Sequence, residues 1–377
     1  MQPSRKISLW LFTCAAAVFA MALVGAVTRL TESGLSIAEW APITGALPPL
    51  DDAGWSRAFS LYQQTPQYKL VNLGMSMDEF RRIYFWEWLH RLLGRLIGMI
   101  YFLPLAYCWA KKQIPDAAKK PLLGILLLGF MQGAMGWLMV ASGLVDQPAV
   151  SHYRLAAHLG LAFVIFCALL YMGLAFSMPR DPEAGKLTPL RGMIKATLAL
   201  AAVTMFWGAL VAGLRAGMLY GNDFPFMGKY PWPTEMFHFS PWWKNFFENH
   251  AAVQFTHRLL ALLLFVQVFF LAKKGMDAGA TLRMTRLFAA LLIMVCVQAG
   301  LGITALATHV NIVVAVMHQA GALALLGILT ALLYHIPHAS RGQLLDPYPA
   351  SLVKQVAIER LCKKPNGILS GGRNDLL

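Results

Sequence analysis

The stretch Glu87-Trp88-Leu89-His90-Arg91-Leu92-Leu93-Gly94-Arg95 heads a long apolar run and returns, altered, as Gln254-Phe255-Thr256-His257-Arg258-Leu259-Leu260. Each copy leads into a segment long enough for the roughly 20 apolar residues that a bilayer core requires. A charged side chain inside such a segment is expensive and marks a functional position. The recurrence therefore says two things together: the chain spans a membrane, and part of it is duplicated. Working outward, Gly25, Gly34, Pro42, Gly45 and Pro48 meet Gly208, Gly217, Pro225, Gly228 and Pro231 at a constant separation of 183 positions. Gln132 and Gly136 meet Gln298 and Gly302 at 166, and His158 meets His318 at 160. The order is the same in both copies, and the separation drifts only through the loops.

Eight apolar segments are long enough to span, near 8–28, 86–110, 121–142, 154–177, 193–214, 251–272, 286–307 and 312–335. The first apolar run is longer than a signal peptide's core, so it is read as a retained helix. The fold class expected is an all-α membrane protein whose eight transmembrane helices form two tandem pseudo-symmetric four-helix bundles. Four is even, so both copies run the same way through the membrane and the repeat is parallel. The expected units are residues 1–178, residues 179–340 and a basic tail, 341–377. That tail is read as a solvated end with some lipid-headgroup contact.

Composition agrees. Of 377 residues, 58% are apolar and 13% charged, against about 25% charged in an average soluble domain. That excludes a soluble globule and a disordered chain. The net charge of +14 is not a nucleic-acid footprint, because the lysines and arginines sit mostly in short loops between spans. Twenty of the 32 basic residues fall before the first span, in the loops joining spans two to three, four to five and six to seven, and in the tail. By the positive-inside rule both termini are cytoplasmic, and the long loops near 29–85 and 215–250 face outward. Their Pro, Trp and Tyr residues suit interfacial anchoring or a lid. Cys14, Cys108, Cys167 and Cys296 lie far apart within apolar stretches and are expected to be buried; with Cys362 they form no disulfide framework.

Four of the ten histidines stand at matched places: His90 and His257 in the second helix of each half, His158 and His318 in the fourth. Each lies roughly 8–12 Å into its span from the outward side. A lone intramembrane histidine is more often a satisfied polar contact than a ligand. Two at one depth, repeated in both halves, reverse that balance. Facing imidazoles in a four-helix bundle are a way to hold a haem iron from both sides, with Arg91, Arg95 and Arg258 at hand for the haem's propionates or pocket. Zinc is disfavoured because no third ligand repeats with the pairs. His152, His238, His250, His309, His335 and His338 have no repeat partner. One asymmetry stands out. Glu87, three residues before His90 on the same helix face, is replaced by Gln254 in the second half. It reads either as an acid serving proton transfer or charge stabilisation at one site, or as a structural partner of Arg91.

Taken together, Thr28-Arg29-Leu30-Thr31-Glu32-Ser33-Gly34-Leu35-Ser36, Glu39-Trp40, Pro48-Pro49, the Glu87–Arg95 stretch, Gln132-Gly133, Phe255-Thr256-His257-Arg258 and His318-Gln319 resemble the haem A synthase family, in its proteobacterial and mitochondrial form. The resemblance covers nearly all of residues 8–335. The family's other branch carries cysteine pairs in its outward loops, and this chain has none there. The resemblance implies an oxidoreductase of the bacterial inner membrane that converts haem O to haem A for cytochrome c oxidase, oxidising a methyl group to a formyl group by successive hydroxylations, with water supplying the oxygen. It implies that His90 and His158 hold substrate haem O, that His257 and His318 are axial ligands of a haem b cofactor, and that Glu87 is the catalytic acid. The partners it implies are haem O, haem O synthase, an electron acceptor and the lipid bilayer; self-association stays open. The competing readings are a di-haem b-type electron-transfer protein linked to a quinol, in which Glu87 against Gln254 has no purpose, and a tandem-repeat transporter, which would show broken helices at mid-membrane depth.

Overall fold

Ser4 caps the first helix, accepting a hydrogen bond from the Ile7 amide, and α1 then runs over Arg5–Leu30. One face of α1 carries Ile7, Leu11, Cys14, Ala15, Val18, Ala22 and Ala26, all buried. The alanines let neighbouring helices come close, which is how packing is won where lipid removes the hydrophobic drive between helices. The computed structural model describes residues 4–40, 44–143, 148–181, 183–221, 223–279 and 281–337. Pro42, His338, Cys362 and the expected 341–377 tail lie outside the described residues.

The remaining long helices are α4 (Met77–Ala110), α5 (Asp116–Gly143), α6 (His152–Ser177), α7 (Arg191–Gly213), α9 (His250–Asp277), α10 (Leu282–Ala307) and α11 (Ile312–His335). With α1 they give eight helices long and apolar enough to cross a membrane, so the chain is an integral membrane protein. Shorter helices lie in the long connections: α2 (Asp52–Gln63), α3 (Pro66–Leu70) and α8 (Asn245–Glu248). Among the described residues the only extended pairing is a bridge between Met227 and Tyr230.

Packing repeats as the sequence does. α1 lies on α4 and α6 as α7 lies on α9 and α11, and α5 lies on α6 as α10 lies on α11. Across the middle, α6 meets α7 and α11 meets α1, with α6 against α11 between them. These four helices are the most buried, and α4, α5, α9 and α10 form the outer walls. At one end of the central group Arg191 donates to the carbonyls of Leu333 and Ile336, closing the C-terminus of α11. At the other end Arg29 donates to the carbonyls of Ala212 and Gly213, both at 3.0 Å, where α7 stops. The two equivalent helix ends share a backbone device: Glu32 after α1 and Arg215 after α7 are both left-handed, at φ 57° and 54°. Their side chains meet across the halves at 2.6 Å.

Three expectations are corrected. The second span begins at Met77, not near 86, because a capping box of Ser76 and Glu79 starts the helix in a polar stretch that hydropathy alone passes over. The segment 29–85 is not plain loop: α2, α3 and the head of α4 enclose Tyr62, Phe80 and Tyr84, with Trp55, Phe59 and Tyr68 packed around them. Burial pushes the Tyr62 phenol pKa up, and its hydroxyl pairs with Gln67 and Asn72. Gln67 in turn donates to the Glu32 carbonyl at 2.8 Å, tying this small cluster to the end of α1. Third, Cys296 is exposed on α10 while Cys14 is buried; an apolar membrane helix also presents a face to lipid, so apolar surroundings in sequence do not imply burial. A smaller shift concerns His250, placed in a loop by sequence, which opens α9.

Candidate functional site

Each of the four matched histidines sits against a glycine of an adjacent helix. A Cβ added at Gly25 on α1 would lie 3.0 Å from His90 Cε1, and one at Gly208 on α7 would lie 2.9 Å from His257 Cε1. Likewise Gly136 on α5 lies 3.1 Å from His158 Cε1 and Gly302 on α10 lies 2.9 Å from His318 Cε1 by the same construction. These glycines are the ones the repeat aligns, and their purpose is now visible: any larger residue would push an imidazole out of place. His90 on α4 and His158 on α6 belong to the bundle of the first half, and His257 on α9 and His318 on α11 to that of the second. The structure thus brings together one pair per half.

The ring nitrogens are held unequally. His257 Nδ1 lies 3.0 Å from the Thr204 carbonyl. A carbonyl only accepts, so Nδ1 carries the proton and Nε2 keeps its lone pair. Gln132 Nε2 is 3.2 Å from His158 Nε2, and Gln298 Nε2 is 3.5 Å from His318 Nε2 while donating to the His318 carbonyl at 2.9 Å. His158 Nδ1 and His318 Nδ1 are buried without a hydrogen-bond partner, and such orphans call for an explanation. Two imidazoles per half, seated on glycine in an apolar bundle, fit the donor set of a bis-histidine haem.

Glu87 is almost fully buried, at 3% exposure, and its carboxylate accepts three hydrogen bonds. Ser36 Oγ donates at 2.7 Å and the Ile37 amide at 2.8 Å, both to Oε2, while Arg91 Nη2 donates to Oε1 at 2.6 Å. Arg91 also donates to the carbonyls of Ile37 at 3.0 Å and Glu39 at 3.2 Å, and its guanidinium lies 5.6 Å from the Trp40 ring centroid. The pairing with Arg91 expected as the structural alternative is therefore present, and with it a wider clamp on the loop after α1. Sequence reading missed Ser36 and Ile37 as partners of Glu87. Helical spacing places residues on a face but does not say which loop folds over it, and the one available signal was the polar run Thr31–Ser36 at the end of a span.

The second half has the same frame with its polarity reversed. Arg258 donates to the carbonyls of Tyr220 at 3.1 Å and Phe226 at 3.0 Å; Tyr220 is the repeat equivalent of Ile37. Gln254, 1% exposed, donates through Nε2 to the Leu219 carbonyl at 2.7 Å, and Leu219 is the equivalent of Ser36. An acceptor on the helix thus meets two donors on the first loop, and a donor meets an acceptor on the second. Arg95 lies one turn further along α4 than Arg91 and is half-buried. The other described histidines lie elsewhere: His152 at the head of α6, 3.6 Å from Glu248, His238 against Asn249, His250 at the head of α9, His309 in the turn after α10, and His335 at the end of α11.

A family model described as "Cytochrome oxidase assembly protein" matches residues 8–330. A protein of Rhodospirillum centenum named "Heme A synthase" is 49% identical over 328 residues, 86% of this chain and 87% of the relative. One of the same name from Nitrosospira multiformis is 47% identical over 326 residues, 85% and 90% of the two chains, and one from Agrobacterium fabrum is 45% identical over 354 residues, 93% and 94%.

Proposed function

The chain belongs to the cytochrome oxidase assembly protein family, alongside relatives named haem A synthase, and we propose that it is the membrane oxidoreductase that converts haem O to haem A. The reaction turns a methyl substituent of the porphyrin into a formyl group. We assign the first half, 1–178, to the substrate and the second, 179–340, to a resident haem b. His90 and His158 hold haem O; His257 and His318 ligate haem b, which when bound supplies one-electron redox chemistry.

The observation that carries this reading is the substitution of one buried group inside otherwise equivalent sites: Glu87 in one, Gln254 in the other. Electron transfer alone needs no such difference. A carboxylate beside the reacting methyl group stabilises positive charge as electrons leave it, and accepts a proton from the water that supplies the oxygen. Ser36, Ile37 and Arg91 fix that carboxylate in place. Arg91 and Arg258 use two of their nitrogens on loop carbonyls, so they hold the loops over the sites while a guanidinium's five N–H donors leave some for a propionate; Arg95 serves the same end lower on α4. The charge distribution supports a bacterial inner membrane with both termini cytoplasmic and the haem sites toward the periplasm. Haem O synthase is the natural source of the substrate, and an electron acceptor must take up the reducing equivalents.

Co-expression with a haem O synthase in a host that lacks haem A, followed by chromatography of the extracted haems, tests the proposal. Haem A is the expected product. Haem O alone, with the protein present in the membrane, would overturn it.

A further inference from the structure

Moving inward from the histidines, two positions that carry large side chains in the second half are exposed glycines in the first. On α9, eight residues after His257, stands Phe265, packed against the core; on α10, seven residues before Gly302, stands Val295, buried at 4% exposure. The equivalent positions of the first half are Gly98, eight residues after His90, and Gly129, seven residues before Gly136. A Cβ added at Gly98 or at Gly129 would meet nothing within 4 Å. Flanking positions keep the register honest: Tyr101 and Val268, Leu105 and Ala272, Leu122 and Phe288, and Ile125 and Leu291 are buried in both halves. The helices follow suit. α9 and α10 pack along their lengths, whereas α4 and α5 touch at few residues and are the least buried of the eight spans. At about 1.5 Å per residue the two glycines lie roughly 10–12 Å inward of the imidazoles.

We propose that the cleft between α4 and α5, around Gly98 and Gly129, is the subsite for the isoprenoid tail of haem O, and that its filled copy fits the second half to a haem without such a tail. This rests on the assignment of the first half to the substrate. Haem O and haem b share a porphyrin and propionates and differ by one long hydrocarbon substituent. In a bilayer that tail gains little from burial, because lipid is as apolar as any pocket. Discrimination must then come from exclusion: Phe265 and Val295 occupy the volume that a tail would need, and a site that rejects a competitor by filling space needs no new attraction for its own ligand. A cleft open between two outer helices also lets a prenylated substrate enter sideways from the membrane while its head group reaches the histidines.

The test transplants the second half's residues into the first. The double variant Gly98→Phe/Gly129→Val, and Gly129→Val alone, are purified as full-length protein in detergent, with haem b in the second half monitored in the same sample as the measure of folding. Each is titrated with haem O and with haem b. The expected result is at least a roughly tenfold loss of haem O affinity at the first site, with haem b affinity there changed by less than about twofold, and Gly129→Val alone intermediate. Unchanged haem O affinity, or equal loss for both haems, would overturn the subsite. His90→Ala separates this from the underlying assignment: if that variant still binds haem O normally, the first half is not the substrate site at all; if it loses haem O while the glycine grafts do not, only the tail subsite fails. Should the double variant lose its haem b, the single variant decides by the same criterion.

Discussion

The two halves differ less in what they contain than in which way a few groups point. Both seat two imidazoles on glycines, and both tie the first long loop down through an arginine in the turn after a histidine's helix entry. At the one buried position between loop and helix, the first half presents a carboxylate to loop donors and the second an amide to a loop carbonyl. The contrast teaches that a duplicated bundle can keep its paired imidazoles and its loop clamp while a single acceptor-to-donor exchange makes the two sites chemically unequal.

The largest expected break of that contrast is Glu87→Gln. It keeps the shape, leaves an amide NH2 facing the Ser36 and Ile37 donors or the Arg91 guanidinium, and removes the acid. Haem A formation should fall on the order of a hundredfold or more, with haem b content unchanged by visible spectroscopy; a variant that still makes haem A at the normal rate would remove Glu87 from the chemistry. Next come the glycine seats. Gly208→Ala or Gly302→Ala places a methyl 2.9 Å from an imidazole carbon, and overpacking of this kind costs about 1–3 kcal/mol, so haem b retention through purification should drop about ten- to a hundredfold. Gly25→Ala and Gly136→Ala, with slightly more room at 3.0 and 3.1 Å, should weaken haem O binding and spare haem b. Gly160→Ala and Gly300→Ala, where a Cβ meets nothing, should leave haem content as it was.

The eight spans, the parallel repeat and the four histidines were legible in the sequence because each is a matter of composition or of identical residues at fixed separation. The seats at Gly25, Gly136, Gly208 and Gly302 were visible as aligned residues, but not as contacts, since alignment within a chain says which positions are equivalent and not what lies across from them. The clamp on Glu87 was half legible: Arg91 follows from helical spacing, whereas Ser36 and Ile37 come from a loop whose path sequence does not encode locally. The small helical cluster of α2 and α3 escaped for a related reason. Its aromatics are spaced for a helix, but their surroundings are polar, and a reading tuned to membrane spans treats such a segment as loop.

A subtler probe sharpens the polarity argument from the other side. Gln254→Glu sets an acceptor-only group against the Leu219 carbonyl, now paired at 2.7 Å, and leaving buried acceptors facing one another costs about 1–3 kcal/mol. Thermal stability and haem b retention should both fall, and no second catalytic site should appear, because the loop offers that carboxylate a carbonyl in place of the hydroxyl of Ser36. The smallest effect belongs to the bridge between halves. Glu32 and Arg215 are partly exposed, so Glu32→Gln should cost no more than about 1 kcal/mol, seen as a small drop in Tm with haem content intact.

The assignment of one half to substrate and the other to cofactor is tested most directly by the haems that co-purify with His90→Ala, expressed in a host that makes haem O. The account predicts haem b at the wild-type level, with neither haem O nor haem A bound. Loss of haem b from that variant, with haem O or haem A still present, would contradict it.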